Sequence, residues 1–215
     1  METIGDTGDV VVRGEEELFI RTAHLFGVAR DIACAANTMN TWAASRAKEV
    51  DPGDLDGRRV RKLYRPGVLL EAGRAERLRE LARLGAHIRI APDEINETII
   101  LDGRMAILAG DSSHGPRSFS VFTRGEVVAG VASLFEAAWR RATPLSVFDA
   151  RFAEVRALAP RILDVLASGC KDETAARTLG LGLRTYRRRV AELMEALGAT
   201  SRFQAGARAR ELGLI

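Results

Sequence analysis

The glycine punctuation of the last 57 residues constrains this chain more than any other feature of its sequence. Gly169, the Gly180-Leu181-Gly182 triplet and the run Gly198-Ala199-Thr200-Ser201 divide that stretch into short amphipathic segments. Glycine at such points suits helix ends, where a left-handed backbone is needed and a Cβ is costly. The spacing predicts two helices, Asp172–Leu179 and Leu183–Leu197, joined by a three-residue turn, which is the layout of a helix-turn-helix.

In the second of these helices, Tyr186, Val190, Leu193 and Leu197 recur at helical spacing and form one apolar stripe. Arg184, Arg187 and Arg188 then project away from it, with Arg189 at its flank. A solvated charge face is the ordinary explanation of a basic run. Here four Arg fall within six residues and Glu192, four positions after Arg188, is the only acid at helical i±4 spacing. Guanidinium forks on such a face can bond guanine O6 and N7 in the major groove and neutralise phosphates.

The same segment resembles the C-terminal helix-turn-helix domain of the LuxR/GerE/NarL family of transcription regulators. The resemblance is carried by Gly169, Ala176, Leu179-Gly180-Leu181, Arg184-Thr185, Arg187, Val190, Leu197-Gly198, Ser201-Arg202, Gln204-Ala205 and Gly213-Leu214. It implies a four-helix all-α domain over 159–215 that contacts double-stranded DNA. Thr185 would touch a phosphate, Arg187 and Arg188 would read bases, and Ser201 would cap a fourth helix used for dimerisation. The contact set it implies is Lys171, Thr174, Leu183, Arg184, Thr185, Arg187, Arg188, Arg189, Ser201 and Arg202, with Phe203, Ala207 and Arg210 at the dimer face. Gly182, Tyr186, Arg189 and Thr174 stand where the family usually has Ser, Val, His and Glu, and Arg156-Ala157-Leu158-Ala159 replaces its Thr-Pro-Arg-Glu opening. These departures argue against carrying over an operator sequence.

Charge is distributed to match. Residues 160–215 hold ten Lys and Arg against six Asp and Glu, whereas the preceding 159 residues hold 22 against 23. The basic surplus therefore sits where nucleic-acid binding needs it. Two cysteines, Cys34 and Cys170, make neither a disulfide framework nor a metal cluster, and suit a reducing, cytoplasmic setting. Cys34 lies in an apolar run and reads as a small core residue. The acidic, glycine-rich start is not expected to be a signal peptide, no apolar run approaches a membrane span, and no cofactor motif stands out.

The first 144 residues alternate between strand and helix patterns. Predicted helices cover Glu15–Val28, Asn40–Lys48, Val68–Leu84 and Gly125–Arg140; predicted strands cover Asp31–Ala36, Val60–Tyr64, His87–Ile90, Thr98–Leu101, Met105–Ala109 and Ser118–Thr123. Asp102-Gly103 is a strong hairpin signal. Such alternation predicts an α/β domain, a mixed sheet with helices on its faces. Phe148, Phe152, Val155 and Leu158 recur at helical spacing, so 145–158 reads as a helical linker.

The hairpin region, Ala86–Pro92 followed by Thr98–Leu108, resembles the core of phospholipase D-like domains. Those enzymes use a His-x-Lys-x4-Asp motif, with His as nucleophile and Lys on phosphate. Aligning Asp102 with its Asp puts Ile95 at the His and Glu97 at the Lys, so the catalytic motif is absent and no catalytic residue is expected. Degenerate domains of this kind occur beside helix-turn-helix domains, where they resemble sensors or dimerisation platforms. Phe135-x3-Trp139-x4-Pro144-Leu145 and Ser201–Gly206 are similar to actinobacterial regulators that carry this module. Many of those regulators add an N-terminal winged helix of the TrmB kind, which this sequence is expected to lack. A phosphoacceptor receiver is disfavoured: its acidic pair is missing after Ala36, and neither Lys48 nor Lys62 falls late enough.

A ligand cleft on the phospholipase D-like fold would be lined by Asn37, Met39, Trp42, Asn96, Glu97 and Asp102 and would hold a small-molecule effector. Ordinary packing for Trp42 and a turn role for Asp102 are the simpler alternatives. Three functions follow: a homodimeric DNA-binding regulator, a protein-interaction adaptor with weak DNA affinity, and a phosphodiesterase, which the missing His and Lys argue against.

Overall fold

The computed structural model describes residues 8–36, 57–91, 96–110 and 116–215. The predicted helix over Asn40–Lys48 and the candidate ligand residues Asn37, Met39 and Trp42 lie outside them. In chain order the elements are β1 (Val10–Arg13), α1 (Glu15–Val28), β2 (Asp31–Ala36), β3 (Arg59–Tyr64), a 3-10 turn (Pro66–Leu69), α2 (Ala72–Arg83), β4 (His87–Ile90), β5 (Thr98–Leu101), β6 (Met105–Ala109), β7 (Ser118–Phe122) and α3 (Gly125–Arg141). They continue with β8 (Thr143–Pro144), α4 (Leu145–Ala167), α5 (Asp172–Leu179), α6 (Leu183–Leu197) and α7 (Arg202–Glu211).

The strands form one mixed sheet in the order β1-β7-β6-β5-β2-β3-β4-β8. β2, β3 and β4 run parallel, with Asp31 opposite Arg59 and Arg61 opposite His87, and every other pairing is antiparallel. The two-residue period of a strand then sorts side chains to opposite faces. Cys34, Ala36, Val60, Tyr64, Ile99, Leu101 and Ile107 enter the larger core, with Leu18 of α1 and Leu78 of α2. Ala33, Ala35, Leu63, Ile100 and Ala106 face the other way, onto Val128 and Phe135 of α3. Burial raises the Cys34 thiol to about 11, which leaves it an inert core residue.

The structure departs from the sequence reading in four places. β1 pairs with β7 although its four residues show no alternating pattern. β8 is only two residues long. The helix predicted over Val68–Leu84 is split: Pro66 starts a 3-10 turn, and an extended Glu71 separates that turn from α2. Finally, the predicted linker does not end at Leu158 but runs on through Pro160 as a single helix to Ala167. Pro160 lies on the exposed side, where its missing N–H and ring are least costly.

The larger core is continuous from the sheet into the C-terminal helices. Leu145, Phe152, Val155, Ala159, Ile162 and Leu163 of α4 belong to the same apolar cluster as β4 and as Leu193, Ala196, Ala205 and Ala209 of α6 and α7. Polar contacts fix this docking. Arg156 Nε donates to the Leu69 carbonyl at 2.8 Å, and Asp149 takes Arg79 of α2 at 2.8 Å as well as Arg156. Burial alone would raise the Asp149 carboxyl, but the guanidinium groups of Arg79 and Arg156 outweigh it and hold the acid below the usual carboxylate range.

Gly67 sits where the 3-10 turn meets the C-terminal helices. A Cβ there would lie 3.1 Å from Leu212 Cδ1 and 3.3 Å from the Ala196 carbonyl. Gly67→Val is therefore expected to lower stability by about 1–3 kcal/mol in urea unfolding. Gly130→Ala in α3 has open space around the added carbon and should raise stability by about 0.5–1 kcal/mol.

Candidate nucleic-acid interface

α5 ends at Gly180, which adopts a left-handed backbone (φ 69°), and Leu181 N donates to the Ala176 carbonyl at 2.8 Å. That closure satisfies the last carbonyls of α5 and turns the chain into α6. α6 buries Tyr186, Val190, Leu193, Ala196 and Leu197 on one side, the predicted stripe with Ala196 added. Its opposite side carries Arg184, Arg187 and Arg188, all exposed. Arg184 makes no ion pair among the described residues.

The Arg residues are not equivalent. Arg189, at the flank, is folded inward with 12 % of its side chain exposed; it bonds Glu192 at 2.8 Å and also meets Glu154 of α4. Glu192 is thereby engaged and stays 3.8 Å from Arg188, which remains open to solvent. Arg187 Nε donates to Asp172 Oδ2 at 2.9 Å, and Arg202 of α7 bonds the other oxygen of the same carboxylate at 2.7 Å. Hydrogen bonds from Arg202 and then Arg187 hold the Asp172 carboxyl below the usual carboxylate range. One acid at the start of α5 thus orients two guanidinium groups and keeps their remaining N–H donors facing outward.

The other predicted contacts distribute around this centre. Lys171 and Thr174 are exposed on α5, and Leu183 and Thr185 are partly exposed on the first turn of α6. Ser201 caps α7, its hydroxyl accepting from Gln204 N at 3.1 Å while Gln204 Oε1 accepts from Thr200 N at 2.7 Å. Phe203, Ala207 and Arg210 lie together on the outer face of α7, and Phe203 is 89 % exposed. Asp172 was not singled out in the sequence. It stands 15 positions before Arg187 and 30 before Arg202, a separation no local pattern reveals.

Of the predicted ligand cleft, Asn96, Glu97 and Asp102 fall among the described residues. Glu97 and Asp102 flank opposite ends of β5 and stand roughly 16 Å apart at the usual strand rise. Asp102 is a turn residue (φ 50°) whose carboxylate accepts from the backbone of Arg30 at 2.9 Å and Asp31 at 2.7 Å. Glu97 is buried and paired with Arg117 at 2.5 Å. Asn96, Glu97 and Asp102 therefore do not share a pocket. No group of His, Cys, Asp and Glu suited to a metal occurs among the described residues.

In comparison with solved structures, the α/β sheet is similar in fold to phospholipase D family members. The chain resembles Nuc of Salmonella typhimurium, a phospholipase D family member (TM-score 0.50, 12 % identity, 63 % of this chain and 97 % of that one). It also resembles NucT from Helicobacter pylori (TM-score 0.51, 9 % identity, 63 % and 98 %). A further likeness is to TrmBL2, an archaeal chromatin protein whose structure shows a novel mode of DNA binding (TM-score 0.53, 17 % identity, 65 % and 55 %). In sequence, the chain is 33 % identical over 162 residues to the bialaphos biosynthetic pathway regulatory protein of Streptomyces hygroscopicus. That alignment covers 75 % of this chain and 63 % of the relative. No protein-family model matches the chain.

Because the Asp172 carboxyl is lowered, its ion pairs contribute stability above the unfolded value of about 3.9 and lose it as pH falls through the folded value. Asp172→Asn should cost under about 1 kcal/mol at neutral pH, since Arg187 is more than half exposed. Parallel acid titrations of unfolding should show wild type and variant converging below that range.

Proposed function

We propose that this chain is a sequence-specific, DNA-binding transcription regulator that acts as a homodimer in the cytoplasm. The observation that carries the reading is the outer face of α6, where Arg184, Arg187 and Arg188 point to solvent opposite a fully buried stripe. In this reading 159–215 is a LuxR-type unit with α6 in the major groove; Arg187 and Arg188 read base edges, and Lys171, Thr174, Thr185 and Arg202 meet the backbone. The similarity to a named regulatory protein supports the role. So does the fold likeness to a chromatin protein. The exposed Phe203, Ala207 and Arg210 face of α7 is the dimer contact.

The phospholipase D-like sheet (1–144) serves as a non-catalytic platform that senses a small-molecule effector. Its likeness to the phospholipase D family member and NucT is one of fold, and Glu97, which aligns in sequence with the Lys of the phospholipase D motif, is buried and ion-paired. No helix among the described residues is long and apolar enough to cross a membrane.

Gel-shift titration against the gene's own upstream region tests this directly. Wild type should bind selectively and lose affinity steeply with salt. Arg187→Ala/Arg188→Ala should weaken specific binding by at least about tenfold, as each bidentate base contact is worth roughly 1–3 kcal/mol. Weak, unselective binding that the double change leaves intact would instead favour the adaptor.

A further inference from the structure

A cleft of about 360 Å³ opens on the α3 side of the sheet, lined by Arg59, Arg61, His87, Ile88, Arg89, Trp139 and Pro144. The register explains why cations gather there. Arg61 stands opposite His87 and Leu63 opposite Arg89, so Arg59, Arg61, His87 and Arg89 share one face of the two adjacent parallel strands. Glu97 precedes β5, which β2 and β3 separate from β4, so the degenerate phospholipase D position lies across the sheet from this cleft.

Among the described residues no carboxylate lines this cleft. Asp31 and Glu136 belong to a smaller recess of about 80 Å³ on the far side of Arg61, which lines both. Arg61 bonds them from that side, and only 10 % of its side chain is exposed. Its buried Nε has no hydrogen-bond partner. Arg89 stacks over Trp139 at 4.9 Å from the ring centroid and donates to the Trp139 carbonyl at 2.8 Å, which sets its guanidinium in one orientation. Arg59 is the most exposed of the three, at 62 %, with Asp31 at 3.4 Å. A pre-oriented guanidinium, a second buried one with an unused donor and a third at the rim form an oxyanion receptor; the indole and Pro144 add an apolar wall. The volume suits a small molecule.

We propose that this cleft binds a small phosphorylated metabolite, its phosphate held by Arg59, Arg61 and Arg89 and its body resting on Trp139 and Pro144. The inference gives the proposed effector a chemical class and a place, and rests on that part of the reading. Binding is measured without DNA, so a negative result here and a negative result at α6 are distinguishable.

The test is calorimetric titration of the intact protein with inorganic phosphate, glucose 6-phosphate and glucose. The two phosphates should bind and glucose should not. Arg89→Ala and, independently, the exposed Arg59→Ala should each weaken phosphate binding by about tenfold or more. Arg89→Lys should restore only part of it, because an ammonium keeps the charge and loses the fork. Arg151→Ala, which removes an equal charge from the exposed side of α4, should leave phosphate binding unchanged. Absence of binding at millimolar phosphate, or equal affinity in every variant, would overturn the proposal. So would a short single-stranded oligonucleotide that displaces glucose 6-phosphate from the cleft and binds more tightly.

Discussion

Everything the C-terminal helices present to solvent depends on the seating of α4 against the sheet. That helix begins at the end of β8, buries Leu145, Phe152 and Val155 near the sheet, and carries Ile162 and Leu163 into the packing of α5, α6 and α7. Apolar burial alone would allow it to slide. The Arg79–Asp149–Arg156 network and the Arg156 bond to Leu69 give it one register, because a shift would leave charged groups half-buried and unpaired. Gly67 then admits Ala196 and Leu212 to a distance that a side chain would forbid.

The basic face of α6 shows how a few acids organise many cations. Glu192 and Glu154 draw Arg189 inward, and Asp172 takes one edge of Arg187 and of Arg202. Each exposed pair contributes little to stability. Their effect is conformational: they restrict long side chains, which would reduce the ordering cost of the polyanion contact proposed for this face. A face of identical residues is thereby divided into fixed and free members.

Much of this architecture was legible in the sequence because its signals are local. The glycine-bounded helices α5 and α6, the stripe through Tyr186 and Val190, and the Asp102-Gly103 hairpin each follow from spacing within a few residues. β1 and β8 were not legible: one is a short apolar run, and the other exists only because Thr143 finds Ile90. The continuity of α4 was hidden by Pro160, which reads as a helix breaker until its exposed position is known. Asp172 and the arginine-lined cleft depend on residues brought together from distant segments, and Glu97 and Asp102 seemed to belong together only because they are close in sequence.

β8 also settles how the sheet ends. It offers two residues to the outside, and one of them, Pro144, has no N–H to donate. β8 pairs with Arg89 and Ile90, so the stretch of β4 that it leaves uncovered is only His87 and Ile88. The opposite boundary, β1, is four residues long. A second copy of this protein therefore gains little from extending the sheet at β8. Any association at that edge would have to draw on side-chain surfaces instead of on strand pairing.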